Sequence, residues 1–243
     1  MREHGLVTSA AGLGLHGHAC WAYADDAELV RAAAEYLADG ARLGQKLLYV
    51  GPADRLHLAD DLGVEALPLS AFCELGRPTD PDRLLEVYTA ATDAALAEGF
   101  SGLRVAADVT DLAVDPACHC RWESVADRFM AERPLSALCC YDRRRLAPDV
   151  LRDLCSVHPV VNEAVPFRIY AAGDALLLEG EIDYFSSDAL ARVLALAHGD
   201  KVLDLSGAGF IDHHGARILV ESGVPLAGMP VSMRRTCELM GLA

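Results

Sequence analysis

The sequence predicts an α/β protein in two parts: a larger unit on a mainly parallel sheet over residues 1–163, and a small α/β unit over residues 164–243. Three observations carry this expectation. Short apolar runs alternate with amphipathic stretches between Ala19 and Cys155, which is the grammar of βαβ crossovers. A hairpin signal, Gly173-Asp174 between two apolar runs, first appears after Phe167. The composition, 52% hydrophobic and 23% charged in 243 residues, is that of a chain that buries a core, which excludes disorder and fibrous repeats.

Taken in order, Ala19 to Tyr23 is an apolar and aromatic run expected to be a strand. Asp25 and Asp26 stand where N-cap and first-turn acids belong, and Leu29, Ala32, Ala33, Tyr36 and Leu37 recur at helical spacing up to Gly40 and Gly44. Lys46 to Val50 is a second strand, closed by Gly51-Pro52. A helix over Pro52 to Leu62, a short apolar piece at Ala66 to Leu69 and a helix from Asp82 to Glu98 follow. Leu103 to Asp108 is a strand, Arg121 to Arg133 a helix, Leu135 to Tyr141 a strand and Pro148 to Cys155 a helix, and the run from His158 to Asn162 closes the unit. In the second unit Phe167 to Ala171 and Ala175 to Glu181 form the hairpin. A helix from Ser187 to Ala197, a strand from Lys201 to Leu205, a helix opening at Asp212 and a last helix around Arg234 to Met240 complete it.

The formal net charge of −15 repels a phosphate backbone, so a nucleic-acid partner is not expected. No apolar run of about 18 residues and no leader pattern is present, so a cytoplasmic protein without a membrane partner is expected. The 8 cysteines are scattered through apolar runs, as reduced, buried thiols are.

The first βα turn, Tyr23-Ala24-Asp25-Asp26-Ala27-Glu28, has no glycine, no lysine and three carboxylates at the helix end, which would repel a triphosphate. The segment from Gly40 to Val50 is nonetheless similar to the same βαβ segment of RecA-like ATPases. The expectation is a RecA-like three-layer shell without a phosphate loop and without ATP. Together with Gly17-His18-Ala19-Cys20-Trp21-Ala22-Tyr23, Gly99 to Arg104, Trp122-Glu123, the run Cys139 to Leu146 and His158-Pro159, these features resemble the MEDS family, the methanogen and methylotroph sensory domain also found in a dichloromethane-responsive repressor. The resemblance implies a sensor of small molecules such as hydrocarbon derivatives, with the family's characteristic His and Cys on His18 and Cys20.

His18 and Cys20 are two apart on a strand and share a face, which His16 can join. They stand near the first βα turn, where open α/β sheets bind ligands. With Tyr23, Asp108 and Arg143 they form the candidate ligand-binding set. His and Cys on one face suit a soft metal or an electrophilic ligand, and equally a core thiol beside a hydrogen-bonded imidazole. Cys118-His119-Cys120 and Cys139-Cys140 make no CxxC pair, so no metal site is assigned, and the cofactor is left open. Arg143 to Arg145 is either a solvated cluster or a contact for an anionic ligand or domain interface near Asp108.

The segment Lys201 to Gly215 resembles the STAS domain of anti-sigma-factor antagonists, in which a strand delivers an acidic turn to a helix N-terminus. Gly180-Glu181-Ile182-Asp183 and the ending Met233 to Leu242 fit the same family. The resemblance implies a protein-interaction module with Asp183, Asp212, His213, His214 and Gly215 as partner-binding residues. His213 occupies the place of the family's phosphorylatable serine, so that switch is missing. Val220 to Val231 is short for the usual helix, turn and edge strand. The expected function is therefore a cytoplasmic, non-catalytic regulator: a small-molecule sensor joined to a module that binds an anti-sigma factor, a kinase-fold protein or another STAS protein. Two alternatives are an enzyme using the RecA-like shell or a His/Cys metal site, and an oligomeric scaffold.

Overall fold

The computed structural model describes residues 2–57, 60, 64–197 and 201–241. Its first sheet has seven parallel strands: β1 (Gly5–Leu6), β2 (His18–Tyr23), β3 (Lys46–Gly51), β4 (Glu65–Pro68), β5 (Leu103–Asp108), β6 (Leu135–Asp142) and β7 (Val160–Val161), ordered β1-β7-β2-β6-β5-β3-β4. Helices on both faces make this a three-layer α/β fold of the RecA-like kind. On one face α1 (Asp26–Arg42) buries Leu29, Ala33, Tyr36 and Leu37 with Ala19, Tyr23 and Ala106 of the sheet. The other face carries α2 (Pro81–Ala97), α3 (Pro116–Glu132) and α4 (Pro148–Ser156), packed on Cys20, Val105, Ala107, Cys139 and Tyr141.

β1 at the sheet edge and the place of β7 between β1 and β2 were not legible in the sequence, because two-residue strands carry no periodicity. The helix expected over Pro52 to Leu62 begins as the 3₁₀ turn Ala53–Arg55, and part of that stretch lies outside the described residues.

The second sheet is mixed and four-stranded, ordered β11-β10-β9-β8. β8 (Phe167–Ala172) and β9 (Ala175–Ile182) form the antiparallel hairpin at Gly173, whose φ of 60° is the left-handed conformation glycine supplies. β9, β10 (Leu203–Ile211) and β11 (Leu226–Ala227) run parallel, with α5 (Ser187–Ala197), α6 (His213–Glu221) and α7 (Val231–Met240) over one core. The edge strand expected to be short has two residues. α3 packs against both α5 and β8, and α4 against the same pair, so the two sheets share a helical layer. Among the described residues no helix is long and apolar enough to cross a membrane.

Candidate functional site

Asp115 caps α3 by accepting the Cys118 N–H at 3.1 Å, and Pro116 opens its first turn. The helix thereby presents His119, Glu123 and Asp127 at i, i+4, i+8 on its sheet-facing side, where all three are buried. Alternation places His18 and Cys20 of β2, and Cys139 and Tyr141 of β6, on the opposing sheet face. α4 ends at its C-cap Val157, and His158 follows immediately. These four segments converge beneath the sheet.

Glu123 is the hub. Its Oε2 lies 3.2 Å from His18 Nε2, 3.5 Å from Cys139 Sγ and 3.4 Å from His158 Nε2, and its Oε1 accepts the Tyr141 hydroxyl at 2.7 Å. His119 Nε2 stands 3.2 Å from that second oxygen and 3.0 Å from the Tyr141 hydroxyl. Cys139 Sγ is 3.6 Å from His18 Nε2, and the His18 and His158 rings are 4.1 Å apart. One donor atom each of His18, Glu123, Cys139 and His158 lies within 4.8 Å of all the others.

The outer contacts orient both imidazoles. Asp127 Oδ1 lies 3.0 Å from His18 Nδ1 and can only accept, so Nδ1 donates; the Leu154 carbonyl, 2.7 Å from His158 Nδ1, imposes the same arrangement there. His158 Nε2 therefore presents a lone pair to the cluster. It meets the distance of an ion pair with Glu123 but not the geometry of a hydrogen bond, and it is a buried polar atom without a hydrogen-bond partner.

Burial disfavours every charge in this cluster, and the contacts decide which survive. Burial alone would lower the His18 pKa, but Asp127 and Glu123 outweigh it and raise it above the ordinary histidine value. For His158, burial and then the neighbouring His18 lower it. Burial opposes ionisation of Glu123 and Asp127, yet His119 and His18 hold Glu123 well below the usual carboxylate range, and Arg2 with His18 holds Asp127 at about 2. Burial pushes the Cys139 thiol well up, and Glu123 adds to it.

The candidate ligand-binding residues fall into separate places. His18 and Cys20 do share a face, but His18 opens β2, at the end of the strand away from the first βα turn. Cys20 lies deeper, its Sγ 3.4 Å from Cys155 Sγ. His16 is not on the strand; its Nδ1 faces the Met130 and Arg133 carbonyls at 2.7 and 2.9 Å, at the end of α3. Tyr23 and Asp108 meet on the other face, at the C-terminal edge, where the Tyr23 hydroxyl donates to Asp108 at 3.0 Å. Arg55 binds both, at 2.6 and 2.8 Å, and also pairs with Asp26. Arg143 is exposed, 3.0 Å from Glu163 and 3.2 Å from the Ala22 carbonyl. At the first βα turn Asp25 accepts the Glu28 N–H at 2.9 Å and Glu28 accepts the Ala24 N–H at 2.7 Å, so the chain's own carboxylates occupy the amides a phosphate would use.

In the second unit Asp212 caps α6, accepting the N–H groups of His214 and Gly215 at 2.8 and 2.9 Å. Asp183 accepts the Ser186 N–H at 3.0 Å in front of α5. The His213 and His214 rings lie 4.0 Å apart, tilted by 45°, and His214 meets Tyr184 edge-on at 5.0 Å. Tyr184 is 63% and Phe185 87% exposed, so these rings form an apolar patch on the surface.

Glu123, Cys139 and His158 stand in the motifs that carry the family resemblance, and Cys139 was weighed in a Cys139-Cys140 pair to which no metal was assigned, but none of them, nor Asp127, belongs to the candidate site set read from the sequence. The i, i+4 spacing of His119, Glu123 and Asp127 was a further signal, since it puts the three on one helix face, but it does not say whether that face meets the sheet or solvent. Beside the cluster, an apolar cavity of about 30 Å³ reaches Glu123 and Cys139 and is walled by Phe72, Tyr88, Val105 and Trp122.

A profile of the family described as the methanogen/methylotroph, DcmR sensory domain matches residues 17–159, more than half of the chain. The whole buried cluster falls inside that match. Among curated proteins none matches the chain.

Proposed function

The chain belongs to the MEDS family, and from that membership we propose that it is a regulatory protein in which the buried centre around Glu123 senses a small molecule and the second unit transmits the result to a protein partner. The observation that carries this reading is the double contact of Asp127, which holds His18 of the cluster at 3.0 Å and accepts the Ala171 N–H of β8 at 2.6 Å. A ligand that changes the cluster acts on β8 through one carboxylate, and it shifts the protein only by its differential affinity for two arrangements of that link.

The cavity supports a small apolar ligand. A single water needs about 10–15 Å³, so a space of about 30 Å³ suits a molecule of about two or three heavy atoms. The antiparallel hairpin followed by parallel strands, with Asp212 capping α6, supports the STAS-like reading of the second unit. Tyr184, Phe185 and His213 are its candidate docking residues for an anti-sigma factor, a kinase-fold protein or another STAS protein. Neither His213 nor His214 offers a serine kinase a hydroxyl, which favours a switch driven by ligand. The role is binding rather than catalysis.

Hydrogen exchange tests the reading with dichloromethane and methanol as probes. Saturation with either is expected to alter exchange in α3 and in residues 167–172. No response to any one-carbon compound, or a response confined to the first sheet, rejects it.

A further inference from the structure

We propose that His18 Nε2, His158 Nε2, Glu123 Oε2 and Cys139 Sγ form a four-coordinate site for a divalent transition metal, with zinc the ion that fits best. In a tetrahedral zinc centre with bonds of about 2.0–2.3 Å, the ligand atoms sit about 3.3–3.8 Å from one another. Four of the six edges of the cluster measure 3.2 Å (His18–Glu123), 3.4 Å (His158–Glu123), 3.5 Å (Cys139–Glu123) and 3.6 Å (Cys139–His18), and the two between His158 and His18 or Cys139 are no longer than 4.8 Å. Side chains from β2, α3, β6 and the turn after α4 are thus spaced for one small cation before it arrives.

The supporting contacts are those of a metal centre. Metal-bound histidines normally give their second N–H to a carboxylate or a backbone carbonyl. Asp127 does this for His18 and the Leu154 carbonyl for His158, and Tyr141 holds the second oxygen of Glu123. His158 Nε2, buried and without a hydrogen-bond donor, is the lone pair this arrangement leaves over. Two imidazoles, a carboxylate and a thiolate form a borderline donor set that suits zinc better than magnesium or calcium, which take oxygen ligands.

The charges also balance. The cation replaces the proton between His18 and Glu123 and that of the Cys139 thiol, and both protons pass to solvent. Two positive charges then face one carboxylate and one thiolate, while Asp127 keeps Arg2 at 2.5 Å as its own counter-charge. The buried centre is neutral, as burial of charge requires. This inference stands on the ligand geometry alone and goes beyond the sensory reading, which survives if no metal binds.

Cobalt(II) is the probe. The full chain, stripped with a chelator and shown to be folded by circular dichroism, is titrated with cobalt and then with zinc. The expected result is uptake of one equivalent, with a thiolate-to-cobalt charge-transfer band and the intense visible bands of a four-coordinate ion, both lost when zinc is added. Cys139→Ser should abolish the charge-transfer band and Cys118→Ser should keep it. His158→Gln and Glu123→Gln should each weaken cobalt binding by more than about tenfold, the lower end of what loss of even an outer partner costs. If Cys139→Ser does not fold, zinc-dependent protection of wild-type Cys139 from alkylation in mild denaturant replaces it. No uptake by the folded wild-type chain, a full charge-transfer band in Cys139→Ser, or alkylation of Cys139 unaffected by zinc overturns the proposal.

Discussion

Asp127 on α3 and Ala171 on β8 are joined by a 2.6 Å hydrogen bond from the backbone N–H to Oδ2, while the other oxygen of the same carboxylate holds His18 and Arg2. One buried side chain therefore spans the two sheets. Asp127→Asn removes the charge and turns an amide N–H toward groups that are themselves donors. Breaking a buried ion pair costs about 3–5 kcal/mol, and the isosteric change should cost about 3. Urea denaturation measures this, and faster exchange of the Ala171 amide should accompany it. An unchanged midpoint with unchanged exchange would show that Asp127 is not the link.

The first βα turn predicts no useful affinity for ATP. Asp25 accepts the Glu28 N–H, Glu28 accepts the Ala24 N–H and Asp26 is paired with Arg55, so a triphosphate would have to displace three carboxylates from one helix end. Calorimetry with MgATP should give no binding tighter than roughly 10 μM, about −7 kcal/mol on the standard scale.

Asp142 predicts a pH dependence. It accepts the Arg144 backbone N–H at 3.0 Å and two guanidinium contacts at 2.8 and 2.7 Å. Chiefly through the Arg144 side chain, its pKa lies below the usual carboxylate value. A carboxyl depressed in the folded state stabilises fully above its unfolded pKa of about 3.9, and that contribution is lost as pH falls through the lower, folded value. Asp142→Asn should thus lower stability by about 1 kcal/mol at pH 7 and flatten the decline below about pH 4. A uniform loss at every pH would count against this assignment.

Gly215 predicts a packing penalty in the second unit. A Cβ there would overlap Ile182 and crowd Ile211, in a helix start fixed by Asp212. Gly215→Ala should lose about 1–3 kcal/mol, the usual cost of overpacking, in a thermal melt. A gain in stability would mean that α6 can slide along β9.

The order of strands and helices in the first unit was legible because βαβ periodicity is local. Leu29, Ala33 and Leu37 mark one helix face, and the apolar run of β3 marks a strand buried on both sides. The pairing of His18 with Cys20 on one face followed from alternation, and the capping role of Asp25 followed from its place before an amphipathic run. None of these needs a contact between distant residues.

The site was decided elsewhere. His18, Glu123, Cys139 and His158 are far apart in the chain, and only the β2–β6 pairing and the packing of α3 and α4 beneath those strands bring their donor atoms together. Tyr23 faces away from His18 and Cys20 by the same alternation along β2, while strand pairing brought Asp108 to it and the fold placed His16 at the end of α3. Local pattern decides which way a side chain faces relative to its own backbone. Which other side chain it meets depends on strand order and helix docking, so the sequence by itself determined the elements and their buried faces, and tertiary structure alone made a cluster of four separated residues.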